Sequence, residues 1–239
     1  MKKISIILNI LLILFIIFLF IKGNLWEPSK KYIFSMFGVE EEYNYTMNNL
    51  YDVRKEQFMT YEGQANIVML GDSMTEFAHW NELLGRNDVV NRGISGDITE
   101  GILNRLETVV KVKPRYCFFM GGINDFVKGI SFDITVGNSI AIINRLNDNG
   151  IRPVIQSVIY TGYNYDGQKE INLLASRINE VMKKFAINNN IYFLDLNNYL
   201  SEGGLLNPDY TYDGLHLNAK GYSIWGQVIN EFLISQEEK

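Results

Sequence analysis

Three residue types set the first question. Gly71-Asp72-Ser73-Met74 follows directly on the apolar run Ile67-Val68-Met69-Leu70. A serine where a strand turns into a helix lies among unpaired backbone N–H groups, and the helix dipole there favours negative charge. Its hydroxyl is a weak nucleophile at neutral pH and needs a neighbouring base. The chain has two histidines, His79 and His216. His79 stands six residues after Ser73, nearly two helical turns on, and is expected at a rim or on the surface. His216 can take the Ser73 proton and return it to a leaving alcohol. Asp213, three residues before His216, can bond the other ring nitrogen, set the tautomer and stabilise the imidazolium. Asp209 is its rival for that role.

Those residues need a frame. From Ile67 onward apolar runs alternate with helical patterns. Strands are predicted at 67–70, 89–90, 116–120, 154–159 and 191–194. Helices are predicted at 74–84, 98–112, 132–149, 170–188 and 218–235, with Pro114 and Gly150 as stop signals. Strands that are apolar on both faces and separated by helices imply a parallel sheet covered on both sides. Ligands bind such sheets at the carboxyl ends of the strands. The unusual residues fall there: Gly71-Asp72-Ser73 after the first strand, Asn91-Arg92-Gly93 after the second, Gly122-Ile123-Asn124-Asp125 after the third, and Asp213-Gly214-Leu215-His216 before the last helix.

These four blocks, in this order, resemble the SGNH hydrolases, also called the GDSL esterase and lipase family, from about Asn66 to the C-terminus. Met74 stands where the family's tetrapeptide has Leu, an apolar position without a catalytic task. The resemblance implies an α/β fold, a three-layer α/β/α sandwich with a five-stranded parallel sheet in flavodoxin-like order 2-1-3-4-5. It implies ester hydrolysis through an acyl-serine, with Ser73, Asp213 and His216 as the catalytic set. It also implies an oxyanion hole built from the Ser73 N–H, the Gly93 N–H and the Asn124 side chain. Glycine suits position 93 where backbone must approach substrate closely. Neither metal nor organic cofactor is called for. Asn91-Arg92-Gly93-Ile94-Ser95-Gly96-Asp97 resembles the acetylhydrolase-like branch, which implies short acyl groups on sugars or lipids. Two other readings are acetyl transfer to a cell-surface glycan and an inactive surface binding module; the intact Ser73, Asn124, Asp213 and His216 set argues against the second.

Blander roles compete at each position. Ser73 suits a helix N-cap, and Asn124 and Asp125 suit a turn. Asp72 is expected to hold the turn. Gly93-Ile94-Ser95-Gly96 approaches a Gly-x-Ser-x-Gly elbow, but Asp97 replaces the last glycine, leaving Ser95 a loop residue. Cys117 reads as a buried thiol, and Trp80 and Trp225 as packing. Arg92 could touch substrate or brace its loop.

Composition bounds the remainder. The 239 residues are 47% hydrophobic and 21% charged, with net charge −5. Residues 1–23 carry Lys2, Lys3 and Lys22 and no acid, so the rest is at −8, from 19 basic and 27 acidic residues. An acidic body argues against nucleic-acid binding. One cysteine excludes an internal disulfide, and two histidines make a zinc site unfavourable. Ile4 to Ile21 is apolar except for Ser5 and Asn9, long enough as a helix to cross a bilayer. No small-residue cleavage pattern follows it, so the expectation is an uncleaved signal anchor that makes the membrane a partner, with secretion after cleavage as the alternative. Lys2 and Lys3 before the span place the body outside the cytoplasm. The expected division is an anchor over 1–23, a juxtamembrane linker and leading helix over 24–64, with Leu50, Val53, Phe58 and Tyr61 at helical spacing, and the hydrolase domain over 65–239.

Overall fold

The computed structural model describes residues 43–61 and 63–237. The expected anchor and the first part of the linker lie outside them. No helix among the described residues is long and apolar enough to cross a membrane.

Five strands form one parallel sheet: β1 Ile67–Gly71, β2 Val89–Gly93, β3 Tyr116–Phe119, β4 Arg152–Gln156 and β5 Tyr192–Leu194, in the order β2-β1-β3-β4-β5. This is the expected topology. Alternation along β1 feeds two cores. Val68 and Leu70 pack with Ile102, Ile142, Ile143 and Ile178 on one face. Ile67 and Met69 pack with Trp80, Trp225, Ile229 and Phe232 on the other. The first face is covered by α4 Thr99–Asn104, α7 Phe132–Asp148 and α8 Gln168–Asn188, and the second by α3 Trp80–Leu84 and α10 Ala219–Glu237. Along α7 the buried residues are Thr135, Ser139, Ile142, Ile143 and Leu146, the apolar stripe of a helix lying on a sheet.

The predicted helix over 74–84 is two helices, α2 Ser73–Glu76 and α3. Asn91 on β2 causes the break. Its Nδ2 donates to the carbonyls of Thr75, Glu76 and Ala78, which a continuous helix would have used itself. The predicted helix over 98–112 is likewise divided into α4 and α5 Glu107–Val110. Between them Arg105 turns fully inside. Its guanidinium donates to Asp97 Oδ2 at 2.7 Å, to the Arg92 carbonyl at 2.8 Å and to the Gly71 carbonyl at 2.9 Å. Arg105→Met should cost about 3–5 kcal/mol in urea unfolding, because it strands the buried Asp97 carboxylate and two carbonyls. A cost below about 1 kcal/mol would show that the pocket relaxes around the loss.

β4 ends at Gln156, not at Ile159. Beyond it, among the described residues, only Ser157 and Thr161 still bond to neighbouring strands, and side-chain amides take over. Asn179 pairs with Val158 N–H and C=O, Asn197 accepts from Tyr160 N–H, and Asn172 pairs with Thr161. Two short helices, α6 Ile123–Val127 and α9 Asn197–Leu200, and a small hairpin of β6 Ser201–Glu202 with β7 Leu205–Leu206 complete the chain.

The leading segment carries α1 Tyr51–Thr60. Of its expected apolar residues Phe58 meets the body, while Leu50, Val53 and Tyr61 are exposed, and Tyr51 is the fully buried residue. The Tyr51 hydroxyl donates to the Gly101 carbonyl at 2.9 Å, and Arg54 pairs with Glu76 at 2.6 Å. Arg92 braces its loop. It is buried, stacks over Phe58 at 4.7 Å and donates to the Asn91 and Thr108 carbonyls. Cys117 is buried in β3, where desolvation pushes its thiol well up.

Candidate active site

β1 ends at Gly71, and α2 begins two residues later with Ser73. The N-cap is Asp72, whose Oδ1 accepts the Met74 N–H at 3.0 Å. Ser73 is therefore the first helical residue and not the cap. Its own N–H has no carbonyl a turn behind it. The Ser73 side chain is mostly buried, and its Oγ lies 3.1 Å from His216 Nε2.

His216 comes from a loop on the opposite side of the chain order. Thr211 Oγ donates to the His216 carbonyl at 2.7 Å, and the Gly214 N–H donates back to that hydroxyl at 2.9 Å. Gly214 is left-handed at φ +84°, a conformation that excludes most side chains. His216 Nδ1 lies 2.7 Å from Asp213 Oδ2. Asp213 Oδ1 accepts the N–H groups of Leu215 at 2.9 Å and His216 at 2.7 Å. Partial burial would raise the Asp213 carboxyl, but these hydrogen bonds outweigh it and hold it below the ordinary carboxylate range. Asp213, not Asp209, faces the ring. Phe77 and Tyr212 flank the imidazole with ring centroids at 5.1 and 6.1 Å, and both are exposed. His79 lies on the surface beside Glu82.

Of the three groups expected to donate to a developing oxyanion, one is already engaged. Gly93 does not present its N–H, which is donated to Asn91 Oδ1 at 2.8 Å. Glycine is required there for packing: an added Cβ would collide with the Glu76 backbone on α2. Four residues on, the Asp97 N–H donates to the Ile94 carbonyl at 3.1 Å, closing a tight turn. Gly96 is its third residue, at φ +73°, as a type II turn demands. The Gly96 N–H has no acceptor among the described residues. Asn124, the second residue of α6, donates through Nδ2 to the Asp97 carbonyl at 2.9 Å. That bond ties its amide to the same turn and leaves its second Nδ2 hydrogen for another acceptor. Gly96 was open to sequence reasoning only as a glycine between Ser95 and Asp97 where φ must be positive.

Two buried acids brace this edge. Asp125 accepts the N–H and hydroxyl of Thr99, joining α6 to α4, and burial raises its carboxyl to about 6. Burial also raises Asp72, to about 7; the Met74 N–H opposes this, while Asp97 and Asp125 add to it. The folded chain thus holds protons that the unfolded chain, with an aspartate value of about 3.9, has released. These two carboxyls therefore contribute stability that declines as pH rises from about 4 to 7. Asp72→Asn keeps a good N-cap and should flatten the decline of Tm across that window. An unchanged slope would show that Asp72 ionises normally.

A parallel sheet with helices on both faces, carrying a Ser–His–Asp chain at its carboxyl edge, is an arrangement suited to acyl hydrolysis. The model of the GDSL-like lipase/acylhydrolase family matches residues 69–224, well over half of the chain, and the chain belongs to that family. It is similar to platelet-activating factor acetylhydrolase IB subunit alpha1 of Bos taurus, 26% identical over 181 residues that span 72% of this chain and 76% of that protein. It is also 26% identical over 176 residues to N-acylneuraminate cytidylyltransferase of Streptococcus agalactiae, spanning 74% of this chain and 38% of that one. In fold it is similar to a GDSL-like lipase from Bacteroides thetaiotaomicron, with TM-score 0.66 and 24% identity over 78% of this chain and 98% of that one. A catalytic mutant of an acetylxylan esterase from Geobacillus stearothermophilus gives TM-score 0.56 and 18% identity over 72% and 95%.

Proposed function

We propose that the protein hydrolyses short-chain acyl esters, with acetyl as the acyl group, through an acyl-serine at Ser73. The observation that carries this reading is the continuous chain from Ser73 Oγ to His216 Nε2 at 3.1 Å and from His216 Nδ1 to Asp213 Oδ2 at 2.7 Å. Ser73 Oγ attacks the ester carbonyl carbon while its proton passes to His216 Nε2. The carbon–oxygen bond to the alcohol then breaks, and His216 gives the proton to the leaving oxygen. Water, deprotonated by the same ring, releases the acid and restores Ser73. The oxyanion is held by the Ser73 N–H, the Gly96 N–H and the second Nδ2 hydrogen of Asn124. Gly96 thereby takes the place expected of Gly93.

One of the relatives is itself an acetylhydrolase, which favours a short acyl group. The alcohol part rests against Phe77 and Tyr212, as a sugar or lipid headgroup would. The reading extends to residues 1–23 as a membrane anchor that holds the domain outside the cytoplasm; carbonate extraction of membranes tests the anchor. Against a series of p-nitrophenyl esters, kcat/KM should be highest for acetate and fall at least about tenfold by octanoate. Equal turnover of the long ester would overturn the acetyl preference. Appearance of an acetylated product when an acceptor sugar is added would instead establish acyl transfer.

A further inference from the structure

Asn48 lies in the leading segment, before α1 and 21 residues ahead of the first family-matched residue. Its side chain is held at both ends. Oδ1 accepts the Leu50 N–H at 3.0 Å, and Nδ2 donates to the Ser95 carbonyl at 2.8 Å, 47 residues away. The first bond fixes which end of the amide faces Ser95. The Ser95 carbonyl and the Gly96 N–H belong to one peptide plane. No peptide among the described residues is cis, so these two groups point in opposite directions. Holding the carbonyl toward Asn48 therefore aims the Gly96 N–H away from it.

The other side of Ser95 is clamped as well. Its N–H donates to Glu76 Oε2 at 2.7 Å, and its hydroxyl donates to the same oxygen. Glu76 closes α2, the helix that Ser73 opens, and its Oε1 takes Arg54 of α1 at 2.6 Å. The turn that carries Gly96 is thus gripped by the nucleophile's own helix and by the leading segment.

We infer that Asn48 is a positioning residue for the oxyanion hole: through the Ser95–Gly96 peptide plane it sets the direction of the Gly96 N–H. This inference rests on the acyl hydrolase reading and on Gly96 as a donor. The leading segment is then a working part of the enzyme and not a spacer. A misdirected donor weakens the transition state and leaves ground-state binding alone, so the signature is a loss in kcat with KM unchanged.

The test uses the full-length chain with Asn48→Asp and Asn48→Ala. Asn48→Asp keeps the oxygen for Leu50 and the size of the side chain, and replaces the donor to Ser95 with a carboxylate oxygen that repels its carbonyl. Both variants should lower kcat on p-nitrophenyl acetate about tenfold, a fraction of the loss from removing a donor outright, with KM within about twofold of the parent. Labelling of Ser73 by a fluorophosphonate, whose phosphoryl oxygen uses the same hole, should slow by the same factor. Parent kcat in a folded Asn48→Asp protein would overturn the inference, as would a fall in kcat matched by an equal rise in KM or by unchanged labelling. Should Asn48→Ala not fold, Asn48→Asp alone decides. An unlabelled Ser73 in the parent protein would overturn the hydrolase reading itself, which separates the two failures.

Discussion

Ser73→Ala is expected to lower esterase turnover by about 10⁵- to 10⁶-fold while leaving the fold in place. The loss is large because no other hydroxyl can substitute. Ser95 lies across the oxyanion turn with its hydroxyl committed to Glu76, and His216 Nε2 contacts only Ser73 Oγ among the described residues. The fold should survive because the helix does not depend on this side chain. Asp72 caps α2 through the Met74 N–H, and alanine is well accepted at the first helical position. The change in unfolding free energy should stay within about 1 kcal/mol. Turnover by the variant at the parent rate would remove Ser73 from the mechanism. Unfolding would return it to a structural role.

Asp213→Asn should cost nearly as much, about 10⁴-fold in kcat, through a proton in the wrong place. Asp213 uses both oxygens. One accepts the backbone N–H groups of Leu215 and His216, and the other faces His216 Nδ1. Asparagine has one oxygen, and the two backbone donors claim it. Its NH2 then points at Nδ1 and forces that nitrogen to accept. The ring proton moves to Nε2, which faces Ser73 Oγ and can no longer take the serine proton. Geometry and stability stay nearly intact, so the defect should appear in kcat and in fluorophosphonate labelling, with little change in Tm. A loss smaller than about tenfold would mean that the amide settles the other way round and that the tautomer is not under Asp213's control.

The parallel sheet was legible because its strands are buried on both faces and read as continuous apolar runs ended by glycine or a turn. The chain of Ser73, His216 and Asp213 was legible for a related reason. Ser73 directly follows such a run, and Asp213 and His216 are close enough in sequence to meet without help from the fold. The helix breaks were not legible. Continuous helical periodicity runs through 74–84 and 98–112, and nothing local marks the ends. Asn91 from a strand edge and Arg105 from inside the core end those helices, and each acts only after the strands have assembled. The leading helix shows the same limit. Its apolar spacing picked out Phe58 but not Tyr51 or Arg54, whose bonds to the Gly101 carbonyl and to Glu76 also dock the helix.

Strand periodicity was sufficient to place the sheet, and the four blocks at its strand ends were sufficient to single out Ser73, Asp213 and His216, which the fold brings together. They could not say which glycine of Gly93-Ile94-Ser95-Gly96 keeps its N–H unengaged. Both glycines are permissive, and the choice depends on which backbone donors are already engaged. Asn91 folds back onto the first, while the second is left unsatisfied in a turn held by Glu76, Asn48 and Asn124. Hydrogen bonds between segments tens of residues apart leave no local pattern, and they exist only once the sheet has brought those segments together.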